Sequence, residues 1–101
     1  MIHNFRTLNL AIKFYHLSQQ LKLKGVLRDQ LQRASISIPL NLCEGRGRNT
    51  RKDQLRFFHI AMGSVRECQG LLKIAGKETT PCFQVLDNLA GHLYRLIERA
   101  Q

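Results

Sequence analysis

The residues best equipped for chemistry in this 101-residue chain are its cations. Residues 45–52, Gly-Arg-Gly-Arg-Asn-Thr-Arg-Lys, crowd Arg46, Arg48, Arg51 and Lys52 into one short segment. Downstream, Lys52, Arg56, His59, Gly63, Arg66, Gly70 and Lys73 recur at alternating spacings of four and three. On a helix rising ~1.5 Å per residue, that spacing draws one stripe about 30 Å long. No acidic residue interrupts it. Arginines beside a helix start, where free N–H groups and the helix dipole also favour anions, suit the phosphates of a nucleic-acid backbone. The plainer reading of the stripe is a solvated basic face whose glycines serve helix packing. The nucleotide-loop pattern G-x-x-x-x-G-K-[ST] is absent. With no Trp, and Tyr15 and Tyr94 as the two tyrosines, base stacking has little to work with, so binding driven by shape and charge is the expectation.

A second constellation is polar. Gln30, Arg33, Ser37, Asn41 and Glu44 follow one another at spacings of three and four. They could hold a ligand. They could equally form an internal network in which Arg33 meets Glu67, while Asn41 and Glu44 secure the following turn through Arg48. The network is the favoured reading, because partly buried charges are costly unless paired. Catalysis is not expected: the row has no His, no nucleophile–base pair and no second carboxylate beside Glu44. Nor is a metal or cofactor. The four His (His3, His16, His59, His92) form no H-x₃-H or H-E-x-x-H pair, and Cys43, Cys68 and Cys82 form no C-x-x-C. An odd number of scattered cysteines points to a reducing, cytoplasmic setting without a disulfide framework.

Composition sets the frame for these sites. Sixteen Lys+Arg against seven Asp+Glu leave +9, a field that favours a polyanionic partner, nucleic acid before an anionic membrane surface. With 44% hydrophobic and 23% charged residues the chain is globular, and its length suits one domain over residues 1–101. Arg6 and Lys13 break up the apolar residues near the start, so neither a signal peptide nor a membrane span is expected.

Four helical segments must position these groups. The first runs from about Asn4 to Lys22, with Phe5, Leu8, Ile12 and Tyr15 on one face, and Gly25 breaks it. The second runs from about Val26 to Glu44, stopping at the Gly-Arg-Gly-Arg loop. The third opens at Thr50-Arg51-Lys52-Asp53, a capping-box-like pattern with Asp for Glu, and continues to about Ala75, with Gly76 as terminator. Thr80-Pro81 opens the fourth, which reaches about Arg99. Long amphipathic helices on short connections give an all-α, antiparallel up-down four-helix bundle. The second helix carries two apolar stripes: Leu27, Leu31, Ala34, Ile38 and Leu42 on one side, and Ile36, Leu40 and Cys43 roughly opposite. Two stripes imply two packing partners, the bundle itself and another copy of the chain. Pro39, mid-helix, should kink the axis, with Ser35 or Ser37 helping the carbonyl it frees.

The segment D29-Q-L-Q-R-A-S-I-S-I-P-L-N-L-C-E-G-R-G-R48, followed by R56-F-F-H-I-A-M-G-S-V-R-E67, resembles a bacterial four-helix-bundle family encoded in intervening sequences of 23S ribosomal RNA genes. The family pattern is approximately D-Q-L-x-R-A-x-x-S-I-x-x-N-I-A-E-G-x-x-R, then R-F-x-x-I-A-x-G-S-x-x-E. Asp29, Gln30, Arg33, Ala34, Ser37, Ile38, Asn41, Glu44, Gly45 and Arg48 match the first part, and Phe57, Ala61, Gly63, Ser64 and Glu67 the second. Leu42-Cys43 stands where the family has Ile-Ala, and residues 76–83 form a shorter segment than is common. The resemblance extends to the accessory variability proteins of diversity-generating retroelements. It implies a homo-oligomeric ring, typically a pentamer, with a basic surface. It also implies nucleic-acid binding or partnership with a reverse transcriptase. Joined to the residue reading, the expectation is a non-enzymatic bundle whose Arg46, Arg48, Arg51, Lys52, Arg56 and Arg66 contact RNA or DNA phosphates with little sequence readout. The alternative is an adaptor for a protein partner.

Overall fold

Local signals set most helix ends. The Thr50 hydroxyl accepts the Asp53 amide at 3.1 Å, and Thr80 accepts Phe83 at 3.3 Å with Pro81 at the first helical position. Gly76, at φ +71°, lets the chain reverse: its own amide donates to Lys73 O (3.0 Å) and the Lys77 amide to Leu72 O (2.8 Å). That is the paired bonding of a Schellman terminus, which needs a left-handed residue. In the computed structural model, which describes the backbone of residues 2–101 and the side chains from Arg6 onward, four helices result. They are α1 (Ile2–Gln19), α2 (Gly25–Arg46), α3 (Arg51–Ile74) and α4 (Pro81–Ala100), with no strand among the described residues. Phe5, assigned above to the first helix's apolar face, lies outside the described side chains.

The boundaries around the two connections of α2 differ from expectation. α1 ends at Gln19 because the Gln20 and Leu21 amides bond back to Leu17 O (3.1 Å) and Ser18 O (3.2 Å), tightening the last turn before Lys22. Gly25, at φ +59°, is the entry residue of α2, after an extended Lys24 that supplies no side-chain cap. The far end of α2 runs past Glu44 through Gly45 and Arg46, so the connection to α3 shrinks to residues 47–50. A continuous α2 also passes through Pro39. Ser35 donates to Gln32 O (3.2 Å) and Ser37 pairs with Ser64, so these hydroxyls are engaged away from the carbonyl that Pro39 frees.

The core fills from all four helices. Phe14, Ile38, Phe58, Leu72, Leu86, Leu89 and Leu93 are fully buried, with Ala11, Ala34 and Ala61 letting the axes approach. Each helix packs on its neighbours in the chain and α4 closes onto α1, while the diagonal pairs α1/α3 and α2/α4 stay apart. This is the adjacency of an up-down bundle, in a body of 40 × 21 × 18 Å.

Candidate nucleic-acid interface

The most extensive contact in the bundle is between α2 and α3, and the polar row lies along it. Arg33 donates to Gln30 Oε1 at 2.9 Å and forms an ion pair with Glu67 of α3. Next along the seam, the Ser37 and Ser64 hydroxyls bond at 2.9 Å, and Asn41 Nδ2 donates to the Ser37 carbonyl (2.8 Å) and hydroxyl (3.0 Å). Asn41 therefore turns back along α2 instead of reaching the turn, and Glu44 pairs with Arg48 without it, at 2.8 Å. The pairs run antiparallel and end at Gly45. A Cβ there would stand 2.7 Å from Phe58 Cε1 and 3.1 Å from Phe57 Cβ, so only glycine admits the Phe58 ring. That contact is why a residue of poor helix propensity sits inside α2. Gln30, Arg33, Ser37, Asn41, Glu44 and Glu67 are thus gathered on one seam.

The cations separate into engaged and outward-facing groups. The segment read as an arginine loop is mostly helix: Arg46 lies in the last turn of α2, Arg51 and Lys52 in the first turn of α3, and Arg48 alone in the connection. Arg48 is held by Glu44 and stands 4.7 Å above the Phe57 ring, on which Arg56 also stacks at 4.4 Å. Phe57 is a shared cation–π platform that the charge pattern alone does not reveal, although the Arg-Phe step of the 56–67 motif contains it. Arg66 donates to Gln69 Oε1 at 3.0 Å, and Gln69 in turn donates to Asp87 of α4 at 3.1 Å. Lys52, Arg56, His59, Arg66 and Lys73 are exposed along the outer face of α3. Gly63 and Gly70 on the same stripe have open space where a Cβ would go, with no described residue within 4 Å of that position.

Other chemistry is sparse. Burial, helped by the Glu67 carboxylate and the neighbouring Cys82, pushes the Cys68 thiol up to about 12. Burial alone raises Cys82 to about 11, so both stay protonated at neutral pH. Among the described residues no cluster of three His, Cys, Asp or Glu could hold a metal, and no helix is long and apolar enough to cross a membrane. Ile36 (41% exposed), Leu40 (57%) and Cys43 lie outside the core on α2. Ile60 of α3 is also 44% exposed. The family model described as 23S rRNA-intervening sequence protein matches residues 5–98 of the chain. No curated protein matches it.

Proposed function

From the chain's membership of the 23S rRNA-intervening sequence protein family, which the match over residues 5–98 establishes, we propose that it is a non-enzymatic, oligomeric protein that binds nucleic-acid backbone. The observation that carries this reading is the exposed outer face of α3, cationic from Lys52 to Lys73 with no carboxylate on the stripe. Arg51, Lys52, Arg56 and Arg66 contact phosphates there, with Arg46 and Arg48 at the adjoining helix end. Such contacts release counterions and read no bases, so affinity falls steeply with salt and little with sequence. Phe57 helps by ordering the Arg48 and Arg56 guanidiniums on its ring before a strand arrives.

The second apolar stripe of α2 supports self-association. Ile36, Leu40 and Cys43 form an exposed apolar strip that no described residue covers fully, and Ile60 on α3 is exposed as well. Burying it between copies gives the ring, a pentamer by the family resemblance, and repeats the basic face around one cytoplasmic particle. The same strip favours a second reading, an adaptor that docks a protein such as a reverse transcriptase.

Fluorescence anisotropy with structured RNA and with DNA, over a salt titration, tests the first reading. Binding at low salt, weakened by Arg51→Glu and Arg56→Glu with a salt slope smaller by about 1 per lost contact, is expected. No binding at low salt overturns it. Light scattering tests the assembly, and a strict monomer at micromolar concentration overturns the ring. Loss of partner capture on Leu40→Glu, with charge reversals silent, favours the adaptor.

A further inference from the structure

On the opposite side of the bundle, α1 and α4 enclose a cleft of about 110 Å³ lined by Arg6, Thr7, His92, Arg95 and Arg99. His92, Arg95 and Arg99 follow one another at three and four residues along α4, and Arg6 faces them from α1. Among the described residues no carboxylate lines the cleft. Among the described residues, none of its three arginines belongs to an ion pair. Thr7 is buried in the wall at 1% exposure, and Arg95 folds back so that Nη1 would lie 3.7 Å from a Cβ on Gly91. The His92 imidazole is held below its ordinary range, first by burial and then by the charges of Arg95 and Arg6. It is therefore neutral at pH 7, keeping one N–H donor and one acceptor.

Helix dipoles explain only part of this arrangement of exposed arginines. Arg99 gains from the negative end of the α4 dipole, but Arg6 lies near the start of α1, where the dipole favours an anion instead. Three guanidiniums around one concavity repel one another until an anion enters, and each offers forked donors to oxygen. The cleft has room for one phosphate group, with any sugar and base left outside. We propose that this cleft is a site for a terminal phosphate, a phosphomonoester dianion held by Arg6, Arg95 and Arg99 with His92 as a hydrogen-bonding partner. A dianion matches three fixed cations better than a singly charged backbone diester. The phosphate belongs to a mononucleotide or to the end of a strand. The site stands independently of the α3 face, and its test is separate.

The test is an NMR titration of the full chain with inorganic phosphate at constant ionic strength, using sodium chloride as reference. Saturating shifts at Thr7, His92 and Arg95, together with a rise in the His92 pKa when phosphate is bound, are expected. Arg95→Glu and Arg99→Glu, both at exposed positions and checked for fold by circular dichroism, should each weaken phosphate at least tenfold. The charge-matched Lys22→Glu should not. Adenosine 5′-monophosphate and a 5′-phosphorylated oligonucleotide, each compared with its 5′-hydroxyl form, separate the two sources. A preference for the phosphorylated form in either pair supports the site and names its source. Shifts no larger than those of chloride, equal weakening by Lys22→Glu, or no preference in either pair overturn it.

Discussion

Two of the bundle's seams treat arginine in opposite ways. Between α2 and α3, Arg33 meets Glu67, Arg48 meets Glu44, and Arg48 and Arg56 both stack on Phe57. Between α1 and α4, Arg6, Arg95 and Arg99 surround a cleft with no carboxylate among the described residues of its lining. The first arrangement engages guanidiniums with partners inside the chain, whereas the second leaves three of them facing solvent around a concavity. Net charge alone does not separate these cases, since a guanidinium counts the same in both.

The difference is sharpest where the first seam is tightest. Gly45→Ala pushes a methyl into Phe58 and should destabilise the chain by ~1–3 kcal/mol, read as a lower urea midpoint. Phe58→Leu in the same chain should recover part of that loss, and additive effects would show that the approach is looser than described. Ser37→Ala leaves the Ser64 hydroxyl without its partner and should cost about 1 kcal/mol, while Ser37→Ala with Ser64→Ala should cost less than the two single changes added together.

Smaller effects follow for the charges. Arg33→Met should cost ~0.2–1 kcal/mol, shrinking in high salt, because the Arg33 and Glu67 side chains are 58% and 37% exposed. Across the bundle, Arg95→Gln should leave thermal stability within ~0.5 kcal/mol, since the variant removes repulsion and no ion pair. Its clearer signature is in pH dependence. A depressed His92 pKa means the unfolded chain binds the proton more readily, so stability falls as pH drops below the ordinary histidine value of 6.5 and levels off below the folded pKa. Arg95→Gln should raise the His92 pKa and flatten that slope, though burial, the larger cause, keeps some of it. An unchanged His92 titration would mean that Arg95 does not act on the cleft.

Much of this seam was legible in residue order. The spacing of Arg33, Ser37, Asn41 and Glu44, set against Ser64 and Glu67, draws two helix faces that meet, because residues three and four apart share a face. Asn41 was harder to place, since its short amide reaches either a neighbouring helix or its own preceding turn, and packing decides which. The Gly-Arg-Gly-Arg segment misled for a related reason: glycine reads as a loop by local propensity, and only the Phe58 ring across the seam explains a helical Gly45. The α1–α4 cleft was not legible. Its members come from residues 6 and 92–99, nearly the whole chain apart.

The sequence by itself determined the four helices and, through Thr50, Gly76 and Thr80-Pro81, both ends of α3 and the start of α4, because caps and terminators act over three or four residues. It also carried the family, since the matched pattern lies within neighbouring helices. Only the tertiary structure decided which cations are neutralised. That depends on what another helix brings within a few ångströms of each guanidinium, and so on how the helices are rotated against one another. Linear spacing places a charge on a face, and packing decides whether that face meets a carboxylate, an aromatic ring or an open cleft.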